Sequence, residues 1–119
     1  MTLERIYARI PSAHCKGLCW EGCSYVPVFS GEPILAHTEP GHLAANPLKP
    51  GTVVMHDPGK DSCPHLVDRR CSRYEARPLA CRMYGASIGL ACEHGCSPDR
   101  WLSYQEGARL IEQAGKAAA

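Results

Sequence analysis

The chain is short of the residues that build large cores. Its 119 residues include one Phe, and Leu, Ile, Val and Phe together number only 21. A chain this small with so little apolar material buries a thin core, and such chains depend on disulfides, metals or a partner for stability. No apolar run approaches the roughly 20 residues of a membrane-spanning helix, so none is expected. The opening Met1–Arg9 has no apolar stretch of the secretory kind and carries Glu4, so no export signal is expected either. An excess of one charge is also missing: 13 Lys and Arg face 12 Asp and Glu, a formal charge of +1. Only Arg69 and Arg70 are adjacent bases, so there is no electrostatic footprint for nucleic acid. Gly41 and Gly51 stand in no phosphate-loop or dinucleotide context, and no Ser-His-Asp order can be drawn. No catalytic motif is identifiable.

What the chain does have is cysteine. Eight occur, in two groups: Cys15, Cys19 and Cys23, then Cys63, Cys71, Cys81, Cys92 and Cys96. One cysteine alone reads as a small buried hydrophobe, but eight in a chain this short do not. In an exported chain an even count reads as a disulfide scaffold; in a reducing cytoplasm it reads as metal binding or redox chemistry. The missing signal favours the cytoplasmic reading. Thiolates are soft donors that select zinc, copper(I) or iron–sulfur chemistry over magnesium or calcium. Zinc and a [4Fe–4S] cluster each take four of them, so eight can fill two sites, or one with four thiols to spare. Close spacings are C-x3-C (Cys15/Cys19, Cys19/Cys23, Cys92/Cys96) rather than the C-x2-C knuckles of zinc ribbons. On a helix, i and i+4 share a face, so such pairs can still converge on one ion.

The elements read as follows. Leu3, Ile6, Tyr7 and Ile10 follow helical spacing, with Thr2 to cap the helix and Pro11 to stop it. Tyr25 to Phe29 is strand-like, and Pro27 marks it as an edge. The proline- and glycine-rich stretch 31–52 reads as loop, with a helical turn at Ile34 to His37. Val53 to His56 is a short strand, and Asp57-Pro58-Gly59-Lys60 a turn in which Gly59 takes positive φ. Pro78 begins a short helix that Gly85 ends. A last helix is expected from Ser97 as cap and Pro98 at its first position, with Trp101, Tyr104, Ala108 and Ile111 as its buried stripe and fraying after Gly115.

The segment Cys63-Pro64-His65-Leu66, then Cys71-Ser72-Arg73-Tyr74-Glu75-Ala76-Arg77-Pro78-Leu79-Ala80-Cys81-Arg82, resembles the CxxCxxCC family of zinc- or iron-chelating proteins (YkgJ-like cysteine-cluster proteins). Cys63, Cys71, Tyr74, Glu75, Arg77, Pro78, Cys81 and Arg82 fall on that pattern, and residues 15–36 match it loosely. The chain departs from it in two places. The adjacent N-terminal cysteine pair of the family is absent, and Gly85 stands where the family often has Pro. The resemblance implies metal chelation by the cysteines and no settled reaction.

Physical chemistry gives the flanking residues roles of their own. Thiolates around a metal leave excess negative charge, which Arg77 and Arg82 can offset or hydrogen-bond, with Glu75 orienting a guanidinium. Tyr74 and Pro78 would shield the site. The alternative is that Arg77 and Glu75 are an ordinary surface ion pair. His14, His65 and His94 each lie within two residues of a cysteine, but with eight thiols none is required as a ligand; His37, His42 and His56 have weaker claims. The expectation is a small, loop-rich, metal-stabilised α+β domain over residues 1–115 with a flexible tail at 116–119. It binds zinc, or alternatively iron or a [4Fe–4S] cluster, for structure, metal handling or recognition of a protein partner. The rivals are an iron–sulfur enzyme and a disulfide-stapled exported protein.

Overall fold

The computed structural model describes residues 2–13, 24–92 and 95–118. Helix α1 (Leu3–Ala8) forms as its spacing predicts: the Thr2 side chain accepts from the Arg5 N–H and Ile6 is fully buried. Leu3, Tyr7 and Ile10 pack beside it. Three strands follow, β1 (Val26–Phe29), β2 (Leu43–Ala45) and β3 (Thr52–Met55), in the antiparallel order β1-β3-β2. Strand β1 is therefore an edge, and Pro27, which cannot donate to a ladder, sits there at no cost. Its alternation is clean: Val26 and Val28 are buried and Pro27 is exposed. Strand β2 lies inside the stretch read as loop. Around it, Pro33–His37 and Pro40–His42 form 3-10 turns, the first covering the expected turn at Ile34 to His37.

The turn after β3 differs in detail. Asp57 Oδ1 accepts from the Gly59 N–H at 2.9 Å, and the residue with positive φ is Asp61 rather than Gly59. Aspartate tolerates that region because its short side chain bonds locally. A two-stranded hairpin, β4 (Leu66–Val67) with β5 (Arg70–Cys71), then leads through a 3-10 turn at Tyr74–Ala76 into α2 (Leu79–Met83). Gly85 follows at φ +82.

Helix α3 spans Tyr104–Ala117 and starts later than expected. Its cap is Ser103, which accepts from the Glu106 N–H while the Glu106 carboxylate accepts from the Ser103 N–H. This reciprocal capping box outweighs Ser97 and Pro98, because it satisfies two donors at once. The buried stripe shifts accordingly to Gly107, Leu110 and Ala114, with Ile111 partly buried; Trp101, Tyr104 and Ala108 are exposed. The helix runs through Ala117 rather than fraying after Gly115. Its end docks on the turn after β1, where a Cβ on Gly31 would lie 2.6 Å from the Ala118 carbonyl oxygen.

The three helices and the small antiparallel strands make one α+β domain, with the radius of gyration of 13.6 Å expected of a single unit of this size. Its core is thin and comes in two pieces. One joins Ile6, Leu79, Met83, Leu110 and Ala114 from the helices with Leu102 from the stretch before α3. The other joins Val26, Val28, Ile34, Met55 and Cys63 beneath the sheet. No helix among the described residues is long and apolar enough to cross a membrane.

Candidate metal centre

The described cysteines reach one cavity from different directions. Cys63 follows the Asp57–Ser62 turn and is buried in the sheet cluster. Cys71 ends β5 opposite Leu66 and is half-buried. Cys81 sits in the middle of α2 and packs on the sheet cluster. Cys92 follows the 3-10 turn Ile88–Leu90, and Cys96 is buried. All five line a single cavity of about 1060 Å³. No disulfide joins any two of them. Among the described residues, no three His, Cys, Asp or Glu side chains come close enough together to hold an ion by themselves. Cys15, Cys19, Cys23, His14 and His94 lie outside the described residues. Ala13 and Tyr25, near the two ends of the segment carrying the first three cysteines, both line this cavity. The donor set thus fits a thiophilic ion in chemical kind, while the described thiols alone do not complete a shell.

Electrostatics around the thiols point the same way. Burial pushes the Cys63 thiol above its ordinary value, and the charge of Cys71 adds to that, against a lowering by the His65 backbone N–H. Thiolates that share a cavity repel each other, and a bound cation reverses the penalty. Among the described residues, the cavity walls carry Lys49, Arg69, Arg70, Arg77 and Arg82, against one acid, Glu32.

The arginines are held differently from the expectation. Arg82 donates from Nε to the Arg77 carbonyl (2.7 Å) and from an Nη to the Glu75 carbonyl (2.9 Å). Its guanidinium lies 4.1 Å from the centre of the Tyr7 ring. Glu75 therefore orients Arg82 through its backbone, and its side chain is exposed. Arg77 donates to the Tyr74 carbonyl (3.0 Å) and stacks on the Tyr74 ring at 3.9 Å, so its partner is Tyr74 rather than Glu75. Burial, then the charge of Arg77, pulls Arg82 below its ordinary value, while Tyr7, Glu32 and Cys81 pull the other way.

Among the histidines, His65 is buried with Nε2 2.8 Å from Thr38 Oγ1. The Thr38 hydroxyl donates to the Ile34 carbonyl at 2.8 Å. The consistent pattern has His65 donating from Nε2 to Oγ1, leaving Nδ1 as the lone-pair nitrogen. Burial, then Arg73, lowers its pKa and favours this neutral ring. His56 donates from Nδ1 to the Ser24 carbonyl (2.7 Å) and stacks on Tyr25; its Nε2 is 3.3 Å from Asp61. His42 lies 3.7 Å from Asp57.

One residue at the cavity enters the sequence reading only as the glutamate of the loosely matching stretch 15–36. Glu32 is 3% exposed, and its carboxylate takes three hydrogen bonds. Oε1 accepts from the Tyr7 hydroxyl (2.5 Å) and the Leu79 N–H (2.6 Å), and Oε2 from the Phe29 N–H (2.9 Å). Two of these donors lie 25 and 47 residues away along the chain, so no local pattern signals them. Burial, then the bond to Glu32, pushes the Tyr7 phenol far above its ordinary value, which keeps it a protonated donor. Comparison with protein-family models, with curated proteins and with solved structures gives no match.

Proposed function

We propose that this chain is a cysteine-cluster metal protein of a reducing compartment. Its ion is zinc, with iron or a [4Fe–4S] cluster as the alternative, and serves structure, metal handling or recognition of a protein partner. One observation carries the reading: five cysteines from separate stretches of chain line one cavity, and residues near both ends of the segment bearing the other three line it too. The likeness of residues 61–84 to the CxxCxxCC signature supports it independently. Cys63, Cys71 and Cys81 are the proposed core of the ligand set, closed by at least one of Cys15, Cys19 and Cys23. Cys92 or Cys96 supplies a further ligand, and at least one of the two is dispensable if the site is single. Four thiolates on one divalent ion leave a charge of about −2, and the cationic wall of the cavity, Arg82 foremost, offsets it.

Anaerobic purification followed by elemental analysis and a visible spectrum tests the proposal. Zinc gives a colourless protein with stoichiometric metal, and an iron–sulfur cluster gives visible absorption. Protein carrying neither sinks the reading. Mass spectrometry that finds four native disulfides replaces it with the exported scaffold. Among the eight single Cys→Ser variants, Cys71→Ser and Cys81→Ser should lose most of the metal and turn insoluble, while at least one of Cys92→Ser and Cys96→Ser tolerates the change if the site is single. Full metal content in Cys71→Ser and Cys81→Ser would overturn the ligand assignment.

A further inference from the structure

We propose that Glu32 is a positioning residue for this cavity, fixing Cys81 and Arg82 in place; the inference rests on the metal reading above. Helix α2 has five residues, far below the length at which a helix holds itself together. Its cap position is Pro78, which supplies no side-chain hydrogen bond. The N–H of Leu79, the first residue of α2, is instead satisfied across the fold by Glu32 Oε1 at 2.6 Å. Cys81 lies two residues further along the same short helix, and Arg82 three. The location of that sulfur therefore depends on where Glu32 holds the helix.

The same carboxylate controls the neighbouring cation by a second route. Glu32 Oε1 also receives the Tyr7 hydroxyl, and the Tyr7 ring is the platform under the Arg82 guanidinium. Through Phe29, Oε2 ties both routes to the end of β1. A buried carboxylate needs hydrogen bonds to be tolerated at all, and charge-assisted bonds are the stronger ones. Three of them, to α1, β1 and α2, do more than satisfy one acid: they lock the N-terminal elements to the helix bearing the sulfur donor. Groups that orient metal ligands in this way typically change metal affinity about 10- to 100-fold when altered.

The experiment uses the full reduced chain, loaded anaerobically with Co2+, whose thiolate charge-transfer and d–d bands report ligand number and geometry. Glu32→Gln keeps an oxygen for Tyr7 and Leu79 but turns an NH2 toward the Phe29 N–H. It should retain the far-UV circular dichroism of the wild type, bind Co2+ about 10- to 100-fold more weakly and shift the d–d bands. Glu32→Asp, which keeps the charge and shortens the reach, should shift the same bands and covers the case in which Glu32→Gln does not fold. Tyr7→Phe cuts the second route but leaves the Leu79 bond, so it should shift the bands and weaken Co2+ binding less than Glu32→Gln does. Folded Glu32→Gln or Glu32→Asp protein that melts lower yet keeps wild-type Co2+ affinity and bands would reduce Glu32 to a fold-stabilising acid and overturn the proposal alone. A wild-type chain that takes up no Co2+ overturns the metal reading, and this proposal with it.

Discussion

Gly85 shows how much one backbone position can decide. At φ +82 it occupies the left-handed region, and a Cβ there would lie 3.0 Å from that of Ala13 and 3.6 Å from that of Cys92. Proline, fixed near φ −65°, cannot take this place. Gly85→Ala meets both the left-handed penalty and the contact with Ala13, and should cost about 1–3 kcal/mol in urea unfolding. A midpoint unchanged from wild type would show that the chain relaxes there freely. Thr38 offers a second single-residue test. Its hydroxyl serves both the Ile34 carbonyl and the buried His65 ring. Thr38→Val leaves both without that partner and should cost about 1–3 kcal/mol, read as a lower midpoint at constant slope. A variant as stable as the wild type would show that His65 has another partner. Neither position is legible from sequence, since glycine at 85 reads only as a helix stop and nothing ties Thr38 to a histidine 27 residues on.

Among the elements, those with strong local periodicity were readable, and those defined by distant contacts were not. Helix α1 and the edge strand β1 carry their reasons in their own residues: the Thr2 cap and Ile6 stripe in one, alternation around Pro27 in the other. Strand β2 is three residues long and exists because β3 pairs with it, so its own sequence says little. Helix α3 offered two starts. Ser97-Pro98 is the more conspicuous, yet Ser103 and Glu106 make both bonds of a capping box and win. Burial of Gly107, which looks like a weakness, follows from close packing: a Cβ there would lie 3.0 Å from Met83 Cε and 3.3 Å from Ser87 Oγ. Ser103→Ala should therefore destabilise the protein by about 1 kcal/mol, and Ser97→Ala by less than about 0.5 kcal/mol. Equal effects of the two would move the cap back to Ser97. The Glu106 carboxyl is held below its ordinary value, first by the Ser103 backbone N–H and then by Arg100. A depressed acid contributes stability above its unfolded pKa and loses it as pH falls through the folded one. Melting temperature should thus drop as pH falls below about 4.3, less steeply in Glu106→Gln. Parallel pH profiles for the two proteins would remove Glu106 from the account.

At the scale of the whole molecule, the thin core read from the sequence is thin in the fold, and it is divided. Among the described residues, the helical cluster holds no cysteine; the sheet cluster includes Cys63, with Cys81 packed against it. The sequence announced a thiol-rich centre but not which thiols share a cavity, because that follows from the approach of a turn, a hairpin, a short helix and a loop that lie far apart along the chain. It also marked Glu32 only as part of the stretch 15–36 and could not announce its partners, which belong to three different elements. On the proposed metal reading, the division of the core makes a specific prediction about how metal and fold are coupled. Folding of a metal-dependent domain draws on the free energy of binding, and removing the ion leaves like charges facing each other in a low-dielectric cavity. Those charges adjoin the sheet cluster, so the sheet should loosen first. Chelation under reducing conditions should lower the melting temperature and strip hydrogen-exchange protection from the amides of β1 and β3. Leu110 and Ala114 in α3, packed with Ile6 and Met83 in the other cluster, should keep more of theirs. Uniform loss across both clusters would mean that the domain unfolds as one unit on losing its ion. Unchanged melting and exchange in protein verified to be metal-free would mean that the core, thin as it is, holds the fold without one.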